Sequence, residues 1–173
     1  MELKQAMAAR HSVRAYAAKQ LDEAALDAIL RAGCAGPVGM GRYENLHITV
    51  VQDAGKVAQI SKATQKVTGS EDDPLYGPPA YILLSAKAEV DAGISFVNAA
   101  GVMQNMALAA AEQGAGSVII WASSQGIEQD AQLKADLGIP AGYKAVLGAS
   151  FGYPAQADGA LKDMGMTISV NRV

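Results

Sequence analysis

The stretch ISFVNAAGVMQNMALAAAEQGAGS, residues 94–117, contributes more to the fold prediction than any other part of the 173-residue chain. The apolar region around it is long enough to test as a membrane span. Polar side chains interrupt it, namely Asn98, Gln104, Asn105, Glu112 and Gln113. Gly114 and Gly116 end the helix after about 20 residues. The sequence therefore predicts a buried helix at Ile94–Gln113 and no association with a membrane.

Small residues dominate this predicted helix. They are Ala99, Ala100, Gly101, Ala107, Ala109, Ala110 and Ala111. Small side chains permit close helix approach, and a helix that is apolar on most sides must be covered on most sides. A chain of 17.8 kDa has little other mass to provide that cover. We therefore expect a second copy of the chain, in a homodimer, to cover part of the helix.

Helices and strands alternate on both sides of this stretch. Apolar spacing and breaker residues predict helices at Leu3–Arg10, Asp22–Arg31 with Asp22 as N-cap, Lys56–Lys66 and Ile127–Leu137. Apolar, β-branched runs predict strands at Leu46–Val51, Tyr81–Ser85, Ser117–Trp121, Tyr143–Phe151 and Met166–Val173. No repeat or low-complexity linker divides the chain, so residues 1–173 are expected to form a single domain.

Composition narrows the classes of function. Fourteen Lys and Arg residues against 17 Asp and Glu give a net charge of −3, too little positive charge for general nucleic-acid binding. Cys34 is the only cysteine and there are two histidines, so neither a disulfide framework nor a metal site is expected. The N-terminus lacks the basic-then-apolar plan of a secretory signal, so a cytoplasmic location is predicted.

The common motifs of catalytic nucleophiles and nucleotide loops are absent or lack their context. Gly148-Ala149-Ser150-Phe151-Gly152 matches GxSxG, but Tyr153-Pro154 follows where that motif needs a helix. Both histidines, His11 and His47, lie before the serine rather than after it. No Walker A loop is present, and no GxGxxG follows a predicted strand. A hydrolase or a nucleotide-binding fold is therefore not expected.

The segment Arg10-His11-Ser12-Val13-Arg14 follows the first predicted helix. In an extended chain Arg10, Ser12 and Arg14 project to one side, spanning about 13 Å, while His11 and Val13 project to the other. Guanidinium groups suit bidentate binding of phosphate. The spacing fits a long ligand with an anionic end. It equally fits a solvated basic turn that pairs with surface carboxylates, and the segment alone leaves both interpretations open.

A wider pattern favours the ligand. Arg-His-Ser-Val-Arg-Ala-Tyr, residues 10–16, resembles the opening motif of the FMN-dependent nitroreductase family. Further blocks resemble that family in its order: 36–41 before the strand 46–51, 77–80, 98–111, 114–117, 139–144 and 152–154. The resemblance spans nearly the whole chain, and the order and spacing of the blocks make it more specific than any single block.

The resemblance implies an α+β, three-layer fold in which a mostly antiparallel sheet is flanked by helices. It also implies an intertwined homodimer with two FMN sites at the interface. By family position, Arg10 and Ser12 bind the phosphate, His11 is a further cofactor contact, and Arg14 lies toward the ribityl and pyrimidine end. The other implied contacts are Ile120, Trp121 and Ala122 against the isoalloxazine, the loop residues Pro37, Gly39, Met40 and Gly41, and Lys162 at the phosphate.

The chain departs from the family in two places. The family's Ser-x-x-Asn-x-Gln-Pro-Trp run is replaced here by residues 38–45, where Gly39 and Gly41 either bring backbone groups close to the ring or shape a turn. The family's C-terminal basic pair is reduced to Lys162 and Arg172, of which Lys162 is the favoured phosphate ligand. Trp121, predicted as a buried residue at a strand end, is either core or a flavin contact.

The implied activity is that of an FMN-dependent NAD(P)H oxidoreductase. NADH or NADPH would reduce the flavin, which would pass electrons to a small acceptor such as a nitroaromatic or quinone. The flavin carries this chemistry, so no catalytic side chain is predicted. The alternative is a dimeric flavin-binding protein, a flavin store or redox sensor, without efficient turnover.

Overall fold

The computed structural model describes residues 1–156 and 161–173. Ten helices and strands follow one another along these residues. They are α1 (Leu3–Ala9), α2 (Glu23–Cys34), β1 (Leu46–Val51), α3 (Ala54–Thr68), β2 (Ala80–Lys87), α4 (Ala92–Glu112), β3 (Gly116–Ile119), α5 (Trp121–Glu128), α6 (Ala131–Asp136) and β4 (Tyr143–Gly152). Short 3-10 turns at Gly39–Gly41 and Tyr43–Asn45 precede β1.

The strands form one antiparallel sheet in the order β1-β2-β4-β3. Ile82 of β2 lies between Val50 of β1 and Ala149 of β4, and Ile119 of β3 pairs with Ala149 from the other side. Strand β2 is therefore central, which explains why its sequence is an almost continuous apolar run. Strand β3 is short and pairs only with the last part of β4, beside which the chain turns into α5.

Helices cover both faces of the sheet, because alternate side chains of β2 point to opposite sides. Ile82 and Leu84 pack in one core cluster with residues of α2 and α4, such as Ile29 and Met103. Tyr81 and Leu83 pack in a second cluster with residues of α3, α5 and α6, namely Val57, Ile60, Ile127 and Leu133. The predicted α+β class, a mostly antiparallel sheet flanked by helices in three layers, is confirmed.

Helix α4 lies against α2 and the sheet at close range. A Cβ on Gly36 would lie 2.9 Å from the Val102 backbone, and a Cβ on Gly101 would lie 3.2 Å from the Pro37 ring. Among the described residues α4 is long and apolar enough to cross a bilayer, a test that core helices also pass, and 44% of its most apolar window is buried in the protein. Burial explains part of the apolar composition of α4, while Ile94, Phe96 and Val97 near its start are exposed.

Two predicted boundaries were wrong around Trp121. The strand predicted at Ser117–Trp121 ends at Ile119, and Trp121 is the first residue of α5. The Ser123 hydroxyl bonds to the Ile120 carbonyl, and Ser124 Oγ donates to the Trp121 carbonyl at 2.8 Å, which satisfies groups at the start of the helix. The helix predicted at Ile127–Leu137 is broken because extended Asp130 caps a new helix, accepting from Leu133 N at 3.0 Å.

The prediction of a strand at Met166–Val173 was also wrong for the single chain. These residues form no strand and are exposed throughout. A strand requires a neighbour, and the alternating apolar residues Met166, Ile168 and Val170 have none among the described residues. The sequence pattern of a strand is present without a partner in the same chain.

Candidate functional site

The basic segment 10–14 joins the sheet beside β3. Ser12 pairs in parallel with Ser117, and Val13 N donates to the Ser117 carbonyl at 3.1 Å. Val13 is buried over Gly116, where a Cβ would lie only 2.3 Å from Val13 Cγ2. Ser12 and Arg14 are exposed on the other side, as alternation along an extended chain predicts.

Two cations meet at the start of this segment. Lys162 N donates to the Ala8 carbonyl at 2.9 Å, which ties residue 162 to the end of α1. Desolvation, and second the Arg10 guanidinium, lower the pKa of the Lys162 ammonium. Neither Arg10 nor Lys162 has an ion pair with any described residue. We call Arg10, Ser12 and Lys162 the cation cluster; like charges held close together suit an anionic ligand.

Arg10 of the cation cluster lines a cavity of about 110 Å³ beside the start of β3. Its walls include Arg10, His11, Gly116 and Ser117. His11 is half-buried there, with Nδ1 2.9 Å from the Ala9 carbonyl oxygen. Arg172, the other C-terminal base considered, is exposed and has no hydrogen bond or ion pair with a described residue.

The junction of β3 and α5 lies at the other end of this edge. Four residues of extended chain carry the backbone about 13 Å from Ser117 to Trp121. Trp121 is 57% exposed, so its predicted burial was wrong: as the first residue of a helix its side chain lies outside the core. Ile120 and Ala122 flank it and are half-buried. Trp121 and Phe96 line a cleft of about 780 Å³ that extends along α5 to Glu128.

A buried hydrogen-bond chain fixes this junction. The Tyr81 hydroxyl lies 2.6 Å from Ser123 Oγ, and Ser123 Oγ donates to the Ile120 carbonyl. Tyr81 is fully buried, and burial raises the pKa of its phenol. Gly148 makes room for it, because a Cβ there would lie 1.7 Å from the Tyr81 hydroxyl oxygen. The position of the Ile120–Ala122 backbone is thus set from within the core.

The segment 37–41, here the glycine loop, lies at the N-terminal half of α4. Gly39 N donates to Asn98 Oδ1 at 2.9 Å, and Gly41 N donates to the Val38 carbonyl at 2.9 Å. Met40 and Gly41 have left-handed backbone, with φ of 55° and 65°. Both glycine N–H groups are therefore used inside the chain, and the glycines shape a turn.

The cation cluster and the glycine loop do not meet in one chain. Arg10 shares a cavity with Ala107 and Ala111, whereas Gly39 contacts Asn98. At 1.5 Å per helical residue, Asn98 and Ala111 lie about 20 Å apart along α4. The predicted site residues thus fall into three groups. Arg10, His11, Ser12, Arg14 and Lys162 lie near the start of β3, and Ile120, Trp121 and Ala122 lie at its end. The glycine-loop residues Pro37, Gly39, Met40 and Gly41 lie apart from both.

Three residues with roles around these groups were not found from the sequence. Asn98 holds the glycine loop, Ser123 holds the β3–α5 junction, and Tyr76 lies with its ring centroid 5.9 Å from the Arg14 guanidinium carbon. The first had a visible signal, because an amide in an apolar helix needs a partner. The other two also make contacts distant in sequence, Ser123 with Tyr81 and Tyr76 with Arg14.

Ser150, the serine of the GxSxG string, lies within β4 rather than at a strand-to-helix turn. It is fully buried, and its Oγ donates to the Leu75 carbonyl at 2.9 Å. A nucleophile must reach its substrate, which this hydroxyl does not. The serine is a structural residue.

Comparison with known proteins identifies the architecture. The model of the nitroreductase family matches residues 7–153. No curated protein matches the chain. Among solved structures, a nitroreductase with bound FMN from Desulfitobacterium hafniense is 20% identical with a TM-score of 0.84, the match covering 99% of this chain and 100% of the other.

Other solved structures are similar at comparable coverage. A nitroreductase with bound FMN from Bacteroides fragilis is 28% identical, with a TM-score of 0.80 and coverage of 99% and 100%. A putative NADH dehydrogenase/NAD(P)H nitroreductase from Bacteroides thetaiotaomicron is 21% identical, with a TM-score of 0.78 and coverage of 99% and 98%.

Proposed function

The chain belongs to the nitroreductase family, and from this premise we propose that it is an FMN-dependent NAD(P)H oxidoreductase. NADH or NADPH is the donor. A small molecule such as a nitroaromatic or quinone is the acceptor. The FMN-bound structures that resemble the chain support the cofactor, and the name of the Bacteroides thetaiotaomicron protein supports the donor.

One observation carries the proposal: two cations that form no ion pair with a described residue lie at one end of β3, and an exposed aromatic surface lies at the other. Arg10 lines a cavity with Ser117 and has Lys162 near it, and Trp121 stands about 13 Å along the chain from Ser117. An elongated ligand with a phosphate at one end and a flat ring at the other fits this arrangement. FMN has that shape and charge.

The role of the protein residues is to bind the cofactor and to orient it. Arg10, Ser12 and Lys162 would donate to the phosphate of bound FMN, with His11 beside them, and Arg14 would bring a positive charge further along the ligand. Ile120, Trp121 and Ala122 offer an apolar surface for the ring and exclude water from it. FMN held there would supply the redox chemistry, which the protein side chains do not provide.

The cleft beside Trp121 is the proposed place for the acceptor. It holds about 780 Å³ and has the aromatic rings of Trp121 and Phe96 on its walls. Its polar groups include Gln125, Glu128 and Lys144. An apolar cleft with a few polar groups is typical of small-molecule sites, and stacking on exposed rings favours flat aromatic acceptors.

A homodimer completes the proposal. Ile94, Phe96 and Val97 are exposed on the first turns of α4, and Met166, Ile168 and Val170 are exposed in the C-terminal segment. Apolar surface of this extent requires cover. Because α4 separates the glycine loop from the cation cluster, a second copy is also the means by which Pro37, Gly39, Met40 and Gly41 reach a flavin site.

Purification followed by release of the chromophore tests the cofactor. We expect a yellow protein that releases FMN and whose visible flavin absorbance bleaches anaerobically on addition of NADH or NADPH. Release of riboflavin, or no flavin binding, contradicts the proposal. Bound FMN without bleaching by either donor indicates instead the flavin store or sensor.

Light scattering tests the dimer. We expect a mass twice the chain mass of 17.8 kDa at micromolar concentration with FMN present. The single-chain mass under these conditions contradicts an interface site.

A further inference from the structure

The turn from Asp73 to Gly77 presents an aromatic side chain on strained backbone. Tyr76 has a φ of 65°, which places it in the left-handed region. That conformation is unfavourable for a bulky non-glycine residue and persists only where the surroundings impose it. Glycine or asparagine at this position would form the same turn with less strain. The tyrosine therefore calls for an explanation beyond the turn itself.

Asp73 imposes the conformation. Its Oδ1 accepts from Leu75 N at 2.9 Å and from Ser61 Oγ, and its Oδ2 accepts from Gly77 N at 2.7 Å. The Tyr76 N–H donates to the Asp73 carbonyl at 3.2 Å. The side-chain carboxylate and backbone carbonyl of Asp73 thus accept from the N–H groups of Leu75, Tyr76 and Gly77, which fixes the turn.

The turn is also anchored in the core. Leu75 is fully buried, and its carbonyl accepts from Ser150 Oγ at 2.9 Å. Tyr76 itself remains 37% exposed. Because the Leu75 side of the turn is buried, the Tyr76 ring lies on its exposed side.

The ring faces the Arg14 side chain. The guanidinium carbon lies 5.9 Å from the ring centroid, within cation–π range. The Arg14 side chain also donates a long hydrogen bond, from Nη1 to the Ser12 carbonyl at 3.4 Å. No described carboxylate forms an ion pair with Arg14, so the alternative of pairing with a surface carboxylate is not what the structure shows. The Tyr76 ring is the cation–π partner of Arg14 among the described residues and restrains the direction of the guanidinium.

We infer that Tyr76 is a positioning residue that holds the Arg14 guanidinium toward the flavin, so that its charge favours the reduced, more negative ring. This inference rests on the proposed FMN function. The parallel pairing at Ser12 carries the chain toward Arg14 in the direction in which β3 runs from Ser117 to Ile119. Arg14 therefore stands on the ring side of the cation cluster, where a fixed charge acts on the electron affinity of the flavin.

The midpoint potential of bound FMN tests this inference. Tyr76→Asn removes the ring and suits left-handed backbone, so the variant is expected to fold with equal or higher thermal stability. We expect the ratio of reduced to oxidised FMN affinity to fall about fivefold, equivalent to a potential lower by about 20 mV for a two-electron couple. Tyr76→Phe keeps the ring and its backbone strain and is expected to retain the wild-type potential.

A double-mutant cycle shows whether Tyr76 acts through Arg14. In an Arg14→Gln background, Tyr76→Asn is expected to leave the potential unchanged, because no guanidinium remains to position. Lys19→Gln is the matched control for charge removal, since Lys19 makes the other cation–π contact of the described chain, 4.7 Å from the Tyr153 ring centroid. We expect it to leave the potential near the wild-type value.

The inference is overturned if Tyr76→Asn keeps the wild-type potential, if Tyr76→Phe loses as much as Tyr76→Asn, or if the Tyr76→Asn effect persists in full without Arg14. In each of these cases the FMN still binds and the proposed function stands. Failure of the wild-type protein to bind FMN overturns both, and the wild-type sample alone reveals it.

Discussion

The cation cluster and the glycine loop were predicted to serve one ligand, yet one chain builds them in opposite ways. Arg10 and Ser12 are part of a segment paired with β3, and Lys162 is tied by its backbone to the end of α1. The glycine loop is held to α4 by one side-chain hydrogen bond, from Gly39 to Asn98, and exposes 82% of Met40.

The two regions differ in how firmly contacts within one chain hold them. Backbone pairing and buried Val13 hold the cation cluster in place before any ligand arrives, which lowers the ordering cost of binding. The glycine loop lies about 20 Å away along α4 by helical rise, and in the proposed homodimer it would reach the flavin site of the second copy. Variants in the two regions should therefore differ in size of effect and in ligand dependence.

Arg10→Ala is expected to have the largest effect. A charge-assisted hydrogen bond to phosphate contributes about 1.5–3 kcal/mol, so FMN affinity should fall on the order of ten- to a hundredfold. Riboflavin lacks the phosphate and should bind the variant and the wild type about equally. Fluorescence titration with the two flavins measures both.

Arg42→Ala is the control for Arg10→Ala, because Arg42 is an exposed arginine just after the glycine loop. It removes the same charge and is expected to change FMN affinity far less. Equal losses for FMN and riboflavin in Arg10→Ala would make Arg10 a structural residue and remove the phosphate contact.

Gly116→Ala and Gly39→Ala compare the packing of the two regions. A Cβ at Gly116 would lie 2.3 Å from Val13 Cγ2, whereas a Cβ at Gly39 meets Asn98 Oδ1 at 3.6 Å, an ordinary contact. Overpacking costs about 1–3 kcal/mol, so Gly116→Ala should lower the Tm by several degrees and weaken FMN binding. Gly39→Ala should leave the Tm nearly unchanged; a similar Tm for both variants would show that the basic segment is not packed tightly on β3.

The sequence predicted elements whose pattern is local. The helix at Ile94–Gln113 and the strand at Leu46–Val51 were found because caps, breakers and apolar runs specify them within a few residues. The helix predicted at Asp22–Arg31 continues to Cys34, because Gly33 packs on Met106 inside the helix and the chain turns only at Gly36, which packs on Val102. Asp22 was placed correctly as the N-cap residue, although its carboxylate accepts from Tyr153 and Lys19 rather than from the helix.

Features that depend on distant partners were missed. Trp121 was assigned to the strand because nothing in its neighbourhood signals that Ser123 bonds to the Ile120 carbonyl or that Tyr81 reaches Ser123. Met166–Val173 has the alternation of a strand, but alternation does not say whether a neighbour exists in the same chain. Tyr76 was invisible because its strain and its contact with Arg14 arise only when Asp73 closes the turn.

Asn98→Ala tests the contribution of the glycine loop to flavin binding. The substitution removes the acceptor of the Gly39 N–H, a loss of about 1 kcal/mol. If the loop serves the flavin site of a second copy, FMN and riboflavin affinity should both fall about fivefold, because the loop is remote from the phosphate end. Fluorescence titration measures both affinities.

Asn105→Ala is the matched control for Asn98→Ala, since Asn105 lies on the same helix and donates to the Ala32 carbonyl at 3.2 Å. It should lower stability by a similar amount without changing affinity for either flavin. A loss confined to FMN in Asn98→Ala would place the loop at the phosphate instead, and no loss would remove it from the site.

Lys162 gives the smallest effect, visible as a pH dependence. Desolvation and the neighbouring Arg10 lower the pKa of its ammonium in the free protein, so the charge is lost at a lower pH than for an ordinary lysine. The protonated form attracts the phosphate; FMN affinity should be level at neutral pH and fall about two- to fivefold as pH rises through the lowered pKa. Lys162→Gln should abolish that decline, whereas Lys4→Gln, an exposed charge on α1, should retain it. Bound phosphate raises the pKa again, so binding at alkaline pH should take up protons, which calorimetry in buffers of different ionisation enthalpy detects; an identical decline in Lys162→Gln would assign the titration to another group and take Lys162 out of the cation cluster.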